Sequence, residues 1–226
     1  MSDSADNGEP TRQFAWGVAH DFSNLVQVIL GFAEFLKTQH PEDAEMQQCV
    51  GEIITASDRA RELVAQLRLI AHRYEPSLEP TDLNALLQGM AAELQTLVGS
   101  SIHLQWQLQT DAARLPLDRA CIERAVRNLC ACARDAMGEG GTLTIATQQV
   151  HSGVRLTVQN SGSGYDPSVA ERLCEPFFIK RTLGRGNGLE FAVVQGVAEQ
   201  HEGRMTIETS PGRGMAVHLD FPNTAA

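Results

Sequence analysis

Residues 18–36, VAHDFSNLVQVILGFAEFL, constrain what this chain can fold into more than any other stretch. The apolar side chains of Val18, Phe22, Leu25, Ile29, Phe32 and Leu36 alternate in spacings of four and three, which is the seam of a helix packed in a coiled-coil-like bundle. Ala19, Val26, Val28, Ala33 and Phe35 widen that face, and His20, Ser23, Asn24, Gln27, Glu34 and Lys37 take the opposite one. A second stretch repeats the spacing through Val50, Ile53, Ser57, Ala60, Val64, Leu67 and Ala71, with Ile54, Leu63 and Ile70 beside it. Pro41 disfavours a helical His40, so the sequence predicts one helix over 11–39 and another from 42 or 43 to about 73. Two long helices joined by a short turn form an antiparallel hairpin. Two helices alone leave faces this wide uncovered, and a second copy resolves that as a four-helix bundle, a homodimer.

This register places His20 on the outward face, with Asp21 next to it and Asn24 one turn further along. The spacing by itself allows two readings of His20: a reactive imidazole with a carboxylate partner, or a solvated side chain on a polar face.

Beyond the hairpin the pattern changes. Pro76 and Pro80 mark a linker, and helical stretches follow at 83–98, 118–137 and 188–201. Strands are expected at 102–108, where Ile102, Leu104, Trp106 and Leu108 alternate, and at 143–147, 154–159, 205–209 and 215–221. Helices on one face of a largely antiparallel sheet make an α+β sandwich. The predicted organisation is a disordered lead at 1–10, the helical hairpin at 11–75, a linker at 76–82 and the sandwich at 83–226.

A net charge of -10 with no basic stripe argues against a nucleic-acid partner. No apolar run approaches the ~20 residues that cross a bilayer, and the polar start MSDSADNGEPTRQ is not a signal peptide. Cys49, Cys121, Cys130, Cys132 and Cys174 have no framework spacing, and Cys130 and Cys132 face different ways on a helix, which is poor metal geometry. Reduced thiols and a cytoplasmic location are the expectation.

Five segments carry a resemblance. AHDFSNLVQVILGFAEFL resembles the phosphoacceptor box of sensor histidine kinases, and RNLCACARDAM, NSGSGYDP, EPFFIKR and GRGNGLEFAVV follow in the order of that family's ATPase motifs. The resemblance spans about residues 15–222. It implies a dimerisation and histidine-phosphotransfer hairpin followed by a GHKL-type α/β sandwich. His20 would be the phosphorylated imidazole, Asp21 its acid/base partner, and Asn24 the group that orients water for dephosphorylation. A neutral imidazole is a competent nucleophile near neutral pH, and an adjacent carboxylate stabilises the cation formed during attack.

The second half departs from the family pattern where it matters for nucleotide. The resemblance places Asn128, Cys132, Asn160, Gly162, Gly164, Gly186, Gly188 and Glu190 at the nucleotide pocket, with Gly184 also matching. Cys132 stands where the family has a magnesium-binding Asn, and magnesium prefers hard oxygen ligands. Asn160 replaces the Asp that meets the adenine amino group; its amide oxygen could still accept that bond, with a loss of ~1–2 kcal/mol in charge assistance. Glu190 replaces a glycine beside the phosphates, adding bulk and a repulsion on the order of 1–4 kcal/mol per charge pair at ~4 Å. Its place in the first turn of a helix suits a carboxylate, which would occupy the anion site itself. The pocket is therefore expected to be vestigial, with no cofactor and no bound metal.

The resulting expectation is a histidine phosphotransferase that moves a phosphoryl group between receiver-domain aspartates through His20 without ATP. Its partners would be response-regulator receivers and the receiver of a hybrid histidine kinase, docked on Gln27, Leu30, Gly31 and Glu34, with Leu30 equally able to belong to the bundle. The alternatives are an ATP- and magnesium-dependent autokinase with an altered pocket, a non-catalytic regulator of a kinase or receiver, and a phosphatase acting through Asn24.

Overall fold

The computed structural model describes residues 9–70, 76–109, 114–151, 153–183 and 188–223. Residues 1–8 of the expected lead, the side chains of Leu67 and Ile70, residues 71–73 of the second helix, and Gly184 and Gly186 lie outside the described residues. The chain divides into two compact units, Met1–Tyr74 and Glu75–Ala226.

The first unit is a helical hairpin of α1 (Glu9–Gln39) and α2 (Ala44–Ile70). Glu9 and Pro10, expected in the lead, already belong to α1. The side chain of Gln47 donates to the carbonyls of Lys37 and His40 at 2.8 and 2.9 Å, closing the turn around Pro41. On α2 the buried positions belong to the expected seam, whereas on α1 they are residues expected to flank it. Ala19, Val26 and Ala33 are buried on α1, and Val50, Ser57 and Val64 on α2. Each set repeats every seven residues, and Ala33 and Val50, Val26 and Ser57, Ala19 and Val64 are pairs equally distant from the turn. Phe22, Leu25, Ile29 and Phe32, expected inside, are exposed, Phe32 at 67%. The physical reason is size. Small residues at the heptad positions let two helices approach closely, and the bulky row then falls to one side of the contact.

Two outward placements are corrected in the same way. Ser23 is half-buried, with its hydroxyl 3.4 Å from Arg68 Nη2. Leu30 is also half-buried, because it lies four residues after Val26 and three before Ala33, on the packed side.

The second unit begins inside the expected linker. Residues Glu79–Asp82 form strand β1, which pairs antiparallel with β3 (Arg114–Leu117). The predicted helix at 83–98 is two helices, α3 (Leu83–Gly89) and α4 (Ala91–Val98), divided at Met90. Strand β2 (Ile102–Leu108) precedes β3, and α5 (Arg119–Ala136) follows it. Then come β4 (Gly141–Val150) and β5 (Gly153–Asn160), two 3-10 turns at Pro167–Val169 and Glu171–Cys174, α6 (Phe178–Leu183), α7 (Glu190–Gln200), β6 (Arg204–Thr209) and β7 (Met215–Pro222). The five-stranded sheet runs β2-β4-β5-β7-β6, antiparallel except for the β2–β4 pair. Alternate residues on its inner face, among them Leu143, Ile145, Leu156, Val217 and Leu219, are buried with Ile122, Val126 and Leu129 of α5 and Val193, Val194 and Val197 of α7.

A buried polar cluster joins the ends of these helices. Asp118 caps α5, its Oδ1 accepting from Cys121 N at 3.1 Å and its Oδ2 from Ser77 N at 2.9 Å. The backbone N–H of Asp118 donates to His201 Nε2 at 2.9 Å, and His201 Nδ1 lies 2.7 Å from the carbonyl of Val197. A carbonyl only accepts, so Nδ1 carries the proton and Nε2 is the acceptor. Burial, the larger effect, holds the His201 pKa below its ordinary 6.5 despite the Val197 carbonyl and Asp118.

His201 therefore binds its proton less readily folded than unfolded. Its contribution is complete above the unfolded value of 6.5 and is lost as pH falls below that value toward the depressed folded one. Urea unfolding between pH 8 and pH 5 should show this loss in the wild-type chain. It should shrink in His201→Gln, which does not titrate, and His201→Ala should cost about 1–3 kcal/mol at pH 8.

Candidate functional site

His20 sits mid-helix on α1 with its side chain 56% exposed, and the Asp21 side chain is 83% exposed. Nδ1 of His20 lies 3.2 Å from Oδ1 of Asp21. An ionised carboxylate only accepts, so in this pairing Nδ1 carries the proton and Nε2 is left as the nitrogen with an available lone pair. The ring of Trp16, one turn earlier, is tilted at 50° to the imidazole with centroids 6.2 Å apart, giving it an apolar flank. Asn24 is exposed one turn on, and so are Gln27, Gly31 and Glu34. A Cβ added at Gly31 would meet nothing within 4 Å, so this side of α1 is open to an approaching surface. An exposed ion pair is weak. The contact with Asp21 therefore matters chiefly for which ring nitrogen carries the proton.

The residues that the motifs assign to nucleotide lie on α5, after β5 and at the start of α7, and these elements pack on one another. The segment after β5 is drawn against the end of α5: a Cβ at Gly162 would stand 2.7 Å from the carbonyl of Ala136. Gly164, at φ +61, is equally confined, since a Cβ there would fall 2.1 Å from Ser210 O. Gly214, which the motifs missed, does the same from β7's side, where a Cβ would sit 1.9 Å from the carbonyl of Asn160. The sequence signal for it was the turn SPGRG between the last two strands.

Asn160 is buried and its Oδ1 accepts the N–H of Gly162 at 3.0 Å. The oxygen expected to meet an amino group is thus already bonded within the protein. Cys132 is half-buried beside Glu190 and Asp135. Burial pushes its thiol well above the ordinary value, and the charges of Glu190 and Asp135 push it further, with Cys130 adding to the rise and Arg134 opposing it. Glu190 Oε2 accepts the N–H of Gly188 at 2.9 Å, and Gly188 takes φ +82. Asn128 is half-buried, and its buried Nδ2 is without a hydrogen-bond partner.

Two of these residues depart from what magnesium and a triphosphate prefer. A neutral thiol is a poor ligand for a hard cation, and a carboxylate already holds the Gly188 N–H. Among the described residues no group of three or more His, Cys, Asp or Glu is placed to hold a metal ion, and no helix is long and apolar enough to cross a membrane.

Comparison with known proteins adds to this geometry. The family described as "His Kinase A (phospho-acceptor) domain" matches residues 11–73, and "Histidine kinase-, DNA gyrase B-, and HSP90-like ATPase" matches residues 117–225. The sensor kinase CckA of Brucella abortus is 29% identical over 225 residues, covering 93% of this chain and 24% of its own length. The sensor histidine kinase ZraS of Klebsiella oxytoca is 29% identical over 210 residues, 92% of this chain and 45% of its own. The chain thus spans between a quarter and a half of these relatives. Among solved structures, full-length ShkA in complex with AMPPNP superposes with a TM-score of 0.71 at 21% identity, over 95% of this chain and 47% of that one. The histidine kinase AdeS of Acinetobacter baumannii gives 0.63 at 16% identity, over 88% of this chain and 96% of that one. At these identities the solved structures share the fold.

The thiols give a direct check of the site. Burial pushes Cys130 up to about 12, and burial together with Glu199 pushes Cys174 up to about 12, while Cys49 is exposed on α2. Timed alkylation with iodoacetamide at pH 8, read by mass spectrometry, should modify Cys49 first and Cys132 at least tenfold more slowly. Substituting Glu190→Gln should quicken the reaction of Cys132 by removing a neighbouring negative charge.

Proposed function

We propose, on the premise that the chain belongs to the sensor histidine kinase family, that His20 carries a phosphoryl group between receiver-domain aspartates and that ATP is not its source. The observation that supports this most directly is the exposed imidazole with Nδ1 tied to Asp21 and Nε2 left as nucleophile. In the transfer step the Nε2 lone pair attacks phosphorus, and the bond from phosphorus to the aspartyl oxygen of the receiver breaks. The aspartate leaves as a carboxylate. The imidazole becomes cationic with the Nδ1 proton retained, and Asp21 stabilises that cation. Delivery to a second receiver is the reverse step. The receivers supply their own magnesium, and they dock along Gln27, Gly31 and Glu34, with Leu30 contributing only its exposed part.

A second reading has its own support. The curated relatives are named sensor kinases, and the comparisons favour ATP-dependent autophosphorylation of the same His20. The substituted residues of the ATPase-like unit favour the first reading. One experiment separates the two. The full chain is incubated with a phosphorylated receiver in one arm and with labelled ATP and magnesium in another, with His20→Gln as control. Label on His20 only from the receiver is the expected result, with loss of more than 100-fold in His20→Gln. Label on His20 from ATP without a receiver would replace the first reading by the second.

The row Phe22, Leu25, Ile29 and Phe32, with Ile53 and Leu63 of α2, remains exposed on the hairpin. We assign it to a second copy of the chain, completing a four-helix bundle. Burying one such side chain contributes ~1.5–3 kcal/mol. Ile29→Glu combined with Phe32→Glu should therefore shift the species seen by sedimentation from dimer to monomer at micromolar concentration, with helicity by circular dichroism largely kept.

A further inference from the structure

Gly188 stands where both of its backbone groups are committed. Its N–H donates to Glu190 Oε2 at 2.9 Å, and its carbonyl accepts the N–H of Phe177 at 2.6 Å. Both joined residues are left-handed, Gly188 at φ +82 and Phe177 at φ +64. Glycine adopts that conformation freely, whereas a phenylalanine is rarely found there and keeps it only where neighbours hold it. The bond to Gly188 is such a hold. The bond from Glu190 fixes Gly188 in turn. Glu190 opens the eleven-residue helix α7, where a negative side chain is favoured by the helix dipole. Its charge is also felt at Cys132 on α5.

We propose that Glu190 is a built-in anion: it takes the Gly188 N–H that a phosphate oxygen of a nucleotide would take, and so locks Gly188 to Phe177 without any ligand. This rests on the reading that nucleotide is not the phosphoryl source and gives it a physical cause. Nucleoside polyphosphates are excluded because the protein occupies the anion position itself, and the exclusion is reversible by substitution. A repelling surface charge would have kept phosphate away without ordering the turn. A carboxylate bonded to Gly188 does both, so the two effects must change together when it is removed.

The test uses the full chain and two readouts. Amide hydrogen exchange at Phe177 and Gly188 is compared in wild type, Glu190→Ala and Glu190→Gln, and calorimetry measures binding of ADP with magnesium in Cys132→Asn and Cys132→Asn/Glu190→Ala. Glu190→Ala should speed exchange at both amides at least tenfold while circular dichroism stays unchanged. Glu190→Gln, which retains an acceptor oxygen, should stay within threefold of wild type. The double variant should bind magnesium-ADP at least tenfold more tightly than Cys132→Asn. Unchanged exchange in Glu190→Ala overturns the proposal, and so does equal ADP affinity of the two Cys132 variants, including the absence of binding in both. Should Glu190→Ala fail to fold, Glu190→Gly takes its place in both readouts, where faster exchange at both amides with a tenfold gain of Cys132→Asn/Glu190→Gly over Cys132→Asn supports the proposal and the absence of either overturns it. None of these measurements involves His20, so a failed phosphoryl transfer and a failed anion lock give separate results.

Discussion

The helical hairpin depends on a close contact between small side chains. Ala19, Val26 and Ala33 repeat every seven residues on α1 opposite Val50, Ser57 and Val64 on α2. These side chains are short, and the bulky Phe22, Leu25, Ile29 and Phe32 fall to one flank of the contact. That geometry has two consequences. It exposes Phe22, Leu25, Ile29 and Phe32 as one continuous apolar row, and it turns His20, Asn24, Gln27 and Gly31 away from α2 toward water. A wider hairpin built on the phenylalanines would have buried the row and left less reason for a second copy. The exposure of His20 and the face assigned to a partner are thus set by the same packing choice.

In the second unit the sandwich has an ordinary core, and the departures from the family pattern are in its motif residues. Leu143, Ile145, Leu156 and Val217 pack under α5 and α7 as an ordinary half-buried sheet requires. The residues that differ from the family pattern lie around that core. Cys132 is a protonated thiol beside two carboxylates, Asn160 spends its oxygen on Gly162, and Glu190 binds the backbone of Gly188. Asn160 and Glu190 each accept a nearby backbone N–H, and Cys132 is kept neutral by burial. The backbone N–H groups of Gly162 and Gly188 are thus satisfied within the protein. Asn128, by contrast, has an unpartnered Nδ2.

Much of this was legible in the chain. The motif residues His20, Asp21 and Asn24 could be placed on the exposed face from helical spacing, and the strands of the sheet could be read from alternation. Spacing failed where two faces of one helix are both apolar. Residues 18–36 contain a small-residue row and a bulky row, and periodicity alone does not say which one meets the neighbouring helix. The bulky row gave the stronger signal, so Leu30 and Ser23 were assigned outward when both are half-buried. Short elements failed for another reason. β1 and β3 are four residues each and contain Pro80 and Pro116, so they carry too little pattern to register before their pairing is known.

By itself the amino-acid order determined the two-unit architecture, the hairpin, the sandwich and the identities of the unusual residues, because these follow from local periodicity and from residue chemistry. Only the tertiary structure decided which helix face is covered, that the Asn160 oxygen is already bonded, and that Glu190 reaches Gly188 rather than water. Such outcomes depend on distances between segments remote in sequence, and on competition among partners for the same donor. A helix face is decided by how near its neighbour can come, and a carboxylate by which N–H it reaches first; neither quantity exists until the chain is folded.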